Sequence, residues 1–214
     1  MTDATCITLA SRPKGAPVAE NFALEMRALP DPAEGELLVR VIWLSLDPYM
    51  RGRMDDAKSY AEPVAIGGVM EGGAVGEVMA SRHKDFAVGD IVTGQFGWTS
   101  HAISDGEAVR KIDPSVAPIS TALGVLGMPG ITAWVGLNDI ASAKQGGTIV
   151  VSAATGAVGG TVGQLAKTKG MRVIGVAGGA EKCAFAEAEL GYDVCLDHRA
   201  MDAKALSAAI KEAA

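Results

Sequence analysis

Apolar and polar positions along this chain fall into two regimes. Before residue 118, short runs of alternating or mostly apolar residues are separated by turn signals such as PDPAEGE and VGD. These runs predict strands at 6–10 (CITLA), 22–29 (FALEMRAL), 36–46 (ELLVRVIWLSL), 72–81 (GGAVGEVMAS), 90–97 (DIVTGQFG) and 108–112 (AVRKI). Many short strands punctuated by Gly and Pro predict a small barrel or rolled sheet. From Pro118 the texture changes. Small and apolar residues mix through ISTALGVLGMPGITAWVGLNDIASA, which predicts helices broken around Gly127–Gly130. Then strand and helix alternate: TIVVSAA (148–154), a helix ending at Lys169-Gly170, RVIGVAG (172–178), a helix ending near Gly191, DVCLDH (193–198), and the helical pattern MDAKALSAAIKEAA. Val/Ile-rich runs alternating with amphipathic helices specify a parallel sheet with helices packed on it. The predicted division is 1–118 and 119–214.

The strand-to-helix junction at 151–170, VSAATGAVGGTVGQLAKTKG, holds Gly156, Gly159, Gly160 and Gly163. Each glycine in a strand or helix costs about 0.5–1 kcal/mol relative to alanine, so a cluster calls for a reason. Ala154-Thr155-Gly156-Ala157-Val158-Gly159 reads A-x-G-x-x-G, a variant of the dinucleotide fingerprint with alanine at its first glycine. On that reading Gly156 lets the backbone approach a pyrophosphate, which rests on the free N–H groups of Ala157, Val158 and Gly159, while Gly159 brings the helix close to the strand. The competing reading is a tight packing turn. About 20 residues further on, an NAD-binding protein carries Asp or Glu to hold the ribose 2′-hydroxyl. Here Ala177 and Gly178 stand in that place, with Lys182 in the next turn and His198 and Arg199 after the third strand. Lys182 alone is equally a solvated lysine at a helix start. Together with the missing acid, it favours NADP(H) over NAD(H).

Charge and composition exclude more than they assign. The 214 residues carry a net charge of −6 and no Lys/Arg run, which argues against nucleic acid and anionic membrane surfaces. No apolar stretch approaches the roughly 18–20 residues of a membrane span, and the N-terminus lacks a signal-peptide pattern. Cys6, Cys183 and Cys195 are widely spaced, with no disulfide framework and no C-x-x-C metal motif, which points to reduced thiols and a cytoplasmic setting. His83 and His101 have no partner spacing suggesting a metal or a nucleophile, Ser152 lies in no G-x-S-x-G elbow, and Arg51 and Arg53 read as solvated or ion-paired.

In combination, LSLDPYMRGRM (44–54), LGMPGITAWVGL (126–137), VSAATGAVGGTVGQLAKTKG (151–170) and AGGAEK (177–182) resemble the medium-chain dehydrogenase/reductases. The resemblance is narrower to their zinc-independent branch of leukotriene dehydrogenase/prostaglandin reductases, 2-alkenal reductases and curcumin reductases. It implies an α/β chain with an N-terminal GroES-like β-barrel domain followed by a Rossmann doubly wound sheet that binds NADPH. It also implies cofactor contacts at Met128 and Thr132 beside the nicotinamide and at Lys182 on the 2′-phosphate, with His198 where family members often carry a tyrosine. A homodimer is implied as well. The doubly wound fold has six strands, of which three fit here, so the resemblance implies roughly the first two-thirds of a complete enzyme.

Zinc relatives draw ligands from a Cys after the third strand and a His before the G-x-V strand. Residues 45–78 contain neither residue type, and no Cys lies between Cys6 and Cys183, so zinc-assisted alcohol oxidation is not expected. Hydride addition to the β-carbon of an α,β-unsaturated ketone or aldehyde fits instead, because the enolate that forms spreads its charge and needs only hydrogen-bond donors. Tyr49, in Asp47-Pro48-Tyr49-Met50-Arg51, is the candidate donor, since it aligns where zinc relatives place a proton-relay Ser or Thr. The bland alternative has Asp47 capping a short helix with Pro48 first, leaving Tyr49 to pack. Tyr60 is a weaker candidate for the pocket wall. Quinone reduction by NADPH is an alternative of the same class; a non-catalytic nucleotide-binding fragment is an alternative of another.

Overall fold

The computed structural model describes residues 1–214, which divide into two compact units, Met1–Leu123 and Gly124–Ala214.

The first unit is built on antiparallel strands. Strands β1 (Thr2–Leu9) and β2 (Phe22–Leu29) form a hairpin in full register, from Thr2 opposite Leu29 to Leu9 opposite Phe22. Five strands make the main sheet: β3 (Leu37–Leu44), β4 (Ala74–Ser81), β5 (Ile91–Gly94), β6 (His101–Ser104) and β7 (Arg110–Lys111), in the order β6-β3-β4-β5-β7. The hairpin is stitched to this unit by Ile7 N–H to Trp98 O (2.8 Å), Met70 N–H to Ile7 O (3.0 Å) and Ser100 N–H to Thr5 O (2.9 Å). Alternation decides which side of a strand is buried. In β1, Ala4, Cys6 and Thr8 point inward, and in β3 Leu37 and Val39 join Ala74, Val78, Val92 and Phe96 in one core. A second cluster, Leu9, Met54, Val64 and Met70, lies with the Phe22–Trp98 ring stack at 5.6 Å.

Strand β6 is not predicted by the pattern. His101-Ala-Ile-Ser is short and lacks alternation, and it becomes a strand by pairing with Leu37–Arg40. The strand expected at 6–10 begins at Thr2, and the one expected at 108–112 shrinks to Arg110–Lys111. Residues 119–123 form a 3-10 turn that belongs to the first unit.

The second unit follows the predicted rhythm. Helix α2 (Met128–Val135) starts from Gly127 with Pro129 in its first turn, where a missing N–H costs nothing, and runs into a π-helical turn at Gly136–Ile140. Then come β8 (Thr148–Ser152), α3 (Ala157–Thr168), β9 (Arg172–Ala177), α4 (Ala180–Leu190), β10 (Val194–Asp197) and α5 (Ala203–Ala213). The three strands are parallel in the order β10-β9-β8, which is the 3-2-1 half of a doubly wound sheet. Val151, Ala154, Val173, Ala177, Ala186 and Tyr192 lie at the centre of its core. Helix ends match their chemistry: Gly191 ends α4 in the left-handed region at φ 75°, and the Asp202 carboxylate caps α5 by accepting from Ala205 N–H at 2.7 Å. No helix is long and apolar enough to cross a membrane.

Asp193 ties α3 to the sheet. Its carboxylate accepts from Lys167 Nζ (2.9 Å to each oxygen) and from Val173 N–H (2.7 Å). The Lys167 ammonium, then the Val173 N–H, hold this carboxyl below the usual aspartate range. A depressed folded-state pKa adds stability above the unfolded value, near 3.9, and loses it as pH falls through the folded value. Asp193→Asn is therefore expected to destabilise the chain by about 1 kcal/mol at neutral pH. The gap to the parent chain should close below about pH 4, read from denaturant midpoints across pH.

Candidate functional site

The glycine-rich junction is a left-handed turn feeding a helix. Ala153, just past β8, takes φ 48°, an uncommon conformation for a residue with a Cβ, and its carbonyl accepts from Gly156 N–H at 2.8 Å. Gly156 is the residue before α3, in extended conformation (φ −75°, ψ 167°), and no side chain caps this helix. The N–H groups of Ala157, Val158 and Gly159 are thus the unmatched first-turn donors of a 12-residue helix, at its positive dipole end.

The glycines divide by purpose. A Cβ on Gly159 would strike the Ala153 backbone, and one on Gly163 would run into the Tyr192 ring, whose hydroxyl donates to Gly159 O at 2.8 Å. Burial pushes that phenol up to about 12. These two glycines are needed for packing whether or not a ligand binds. Gly156 is different: a Cβ there would meet Ala153 alone, its O at 3.2 Å and its Cβ at 3.9 Å, so the protein itself leaves that side of the turn nearly open. This is the cradle that a pyrophosphate requires, and the donor set fits one.

Arg199 and His198 gather at the end of β9. A Cβ on Gly178 would lie 2.9 Å from Arg199 Nε and 3.0 Å from His198 Nε2, so both side chains lean over the position where NAD-binding proteins place an acid. Asp197 fixes this arrangement. One of its carboxylate oxygens accepts from Arg199 N–H (2.9 Å) and Gly179 N–H (2.8 Å), and His198 N–H donates to Ala177 O (3.0 Å). Those backbone donors, Arg199 first and Gly179 second, lower the Asp197 carboxyl below its ordinary range. Asp197 is a residue the sequence reading missed. Its signal was an Asp two residues before the N–H it accepts, the Asx-turn pattern. Lys182 is exposed in the first turn of α4, and the neighbouring Gly179 has φ 108°. A phosphate on the ribose 2′-oxygen suits this set of donors, and a 2′-hydroxyl alone leaves it without its anion.

Met128 and Thr132 lie one turn apart on α2, which packs against α3. Both are exposed, and the Thr132 hydroxyl donates to Met128 O at 2.8 Å.

Tyr49 belongs to the first unit and opens α1 (Tyr49–Arg53). Asp47 does not cap this helix: Pro48 occupies the cap position with no side-chain hydrogen bond, and the Asp47 backbone carbonyl accepts from Met50 N–H at 3.1 Å. Tyr49 is half-buried, and its phenol is held above the usual tyrosine range by burial first, then by the Asp47 and Glu71 carboxylates, with Arg53 opposing them. Arg51 is ion-paired to Asp55 (2.7 Å) and bonds Gly15 O (3.0 Å). Arg53, expected at the surface or in a pair, is both buried (8% exposed) and paired, with Nε 3.1 Å from Glu71. Tyr60 is 83% exposed, with its ring over the Arg53 guanidinium. His83 packs on Phe86 and accepts from Asp85 N–H, and His101 meets Ser100 Oγ at 3.1 Å, both local structural contacts.

Residues 5–112 match the family described as the N-terminal domain of oxidoreductase, and the chain belongs to the medium-chain dehydrogenase/reductase superfamily. The chain is 58% identical over 194 residues to the NADPH-dependent curcumin reductase of Escherichia coli (strain K12), covering 91% of this chain and 56% of that protein. To prostaglandin reductase 1 of Rattus norvegicus it is 43% identical over 216 residues, covering all of this chain and 63% of the relative. Among solved structures, CurA from Vibrio vulnificus in complex with NADPH is 56% identical, with a TM-score of 0.90 over 97% of this chain and 61% of that one. The chain thus spans somewhat under two thirds of the length of these relatives.

Proposed function

We propose that this chain carries the NADPH site and the first-unit residues of a zinc-independent reductase that saturates the C=C bond of α,β-unsaturated ketones and aldehydes. The observation that carries the reading is the open Gly156 turn at a helix N-terminus together with His198 and Arg199 over Gly178, in a chain 58% identical to an NADPH-dependent curcumin reductase.

The residues divide the work. The N–H groups of Ala157, Val158 and Gly159 hold the pyrophosphate, and Lys182, His198 and Arg199 hold the 2′-phosphate. Met128 and Thr132 flank the nicotinamide. When bound, the reduced nicotinamide supplies a hydride for the β-carbon of the conjugated alkene. As the π-electrons shift toward the carbonyl oxygen, the Tyr49 hydroxyl donates a hydrogen bond to that oxygen and stabilises the enolate. Protonation of the α-carbon completes the reduction. A donor placed at the developing charge contributes about 2–4 kcal/mol, so Tyr49→Phe is expected to lower kcat by about 10²-fold with KM little changed. Reduced thiols at Cys6, Cys183 and Cys195 favour the cytoplasm, and the family resemblance favours a homodimer.

The test uses NADPH carrying deuterium at the transferred position, an enone and this chain. Deuterium at the β-carbon of a saturated ketone is the expected result. Deuterium at the carbinol carbon, or none transferred, overturns the assignment, and nucleotide binding without transfer selects the non-catalytic binding reading. A quinone assayed in parallel separates the remaining alternative.

A further inference from the structure

Arg53 is the one charged side chain of the first unit that is buried. It closes the five-residue helix that Tyr49 opens, and its carbonyl accepts from Val64 N–H at 2.8 Å, which brings the excursion 55–63 back onto the helix. The guanidinium carbon lies 4.6 Å from the Tyr60 ring centre and 5.8 Å from that of Tyr49, and Nε is 3.1 Å from a Glu71 carboxylate oxygen. That contact is ionic rather than a well-aligned hydrogen bond, for Nε is buried without a hydrogen-bond partner. Burying a cation with one half-exposed carboxylate as its counter-charge is costly, and ordinary packing would not select it. Two tyrosine faces share the cation.

We propose that Arg53 is a positioning residue for Tyr49: its buried guanidinium, held by Glu71 and covered by Tyr60, fixes the Tyr49 ring and favours negative charge developing on the Tyr49 oxygen. The inference rests on the reading of Tyr49 as the hydrogen-bond donor to substrate. Four groups act on the Tyr49 phenol: Asp47, Glu71 and Tyr60, each of which opposes its ionisation, and Arg53, which alone among them favours it. A phenol that gives up its proton more readily is the stronger donor to an enolate oxygen. Glu71 tempers the effect while it anchors the cation.

The phenol can be read without turnover. The chain has three tyrosines, and Tyr192 is set apart by a pKa pushed up to about 12. The absorbance of tyrosinate is followed through an alkaline titration, and the step missing from Tyr49→Phe belongs to Tyr49. In Arg53→Met that step is expected to move up by about half a pH unit or more. It should stay near its place in Arg53→Lys. A Tyr49 step that does not move in an Arg53→Met chain with native near-UV circular dichroism overturns the proposal. Where Arg53→Met does not fold, Arg53→Gln decides: an upward step supports the proposal, and an unmoved or downward one overturns it. The catalytic reading of Tyr49 fails separately, if Tyr49→Phe reduces the enone as fast as the parent chain.

Discussion

Gly178→Asp is expected to turn the nucleotide preference of this chain from NADPH to NADH. The new carboxylate would enter the space over β9 now taken by Arg199 Nε and His198 Nε2. Both are the far ends of flexible side chains, so they can move aside and the fold should persist. Electrostatically the change is large. An acid at this position accepts from the ribose hydroxyls, repels a 2′-phosphate, and pairs with the Arg199 guanidinium that would otherwise meet that phosphate. Losing one charge-assisted hydrogen bond costs about 1.5–3 kcal/mol, so NADPH affinity should fall by about tenfold to a hundredfold while NADH affinity rises. Fluorescence titration of both nucleotides on the parent and variant chains checks it. An unchanged ratio would mean that the 2′-phosphate does not sit at the end of β9.

The second large effect separates the glycines of the helix junction. Gly159→Val drives a side chain into the Ala153 backbone, which cannot yield without disturbing β8, and should cost about 3 kcal/mol of stability. The Cβ of Gly156→Val would meet Ala153 alone, its O at 3.2 Å and its Cβ at 3.9 Å, and a φ of −75° suits any residue. That variant should lose much less stability than Gly159→Val and yet lose most of its NADPH affinity, because its side chain fills the space the pyrophosphate needs. Calorimetric melting and nucleotide titration on the two variants distinguish the two roles. If Gly156→Val binds as the parent does, the turn serves packing alone.

These two glycines also show what could be read in advance. A cluster of glycines between an apolar run and an amphipathic run has few physical explanations, so the strand, turn and helix at 148–168 were legible from pattern alone. What each glycine does was not. Gly163 is required by the ring of Tyr192, far along the chain, and only the folded unit brings them together. The left-handed Ala153 was hidden because alanine does not advertise that conformation. β6 was hidden because its pairing with β3, rather than its own four residues, makes it a strand. Around Tyr49, the motif marked the residue but not its surroundings. Asp47 looked like a cap and is not one, and Arg53, read as solvated or paired, is paired with Glu71 but buried beneath an exposed tyrosine. The end of β9 was half legible: the missing acid was plain, whereas the seating of His198 and Arg199 by Asp197 depends on a turn that only the structure shows.

The central claim is that residues 124–214 build a site for a 2′-phosphorylated dinucleotide. Isothermal titration of the purified chain with NADPH and with NADH tests it most directly. The account predicts binding of NADPH at least about tenfold tighter than NADH, as one lost charge-assisted contact requires. Equal affinities, or no binding of either nucleotide, would contradict it.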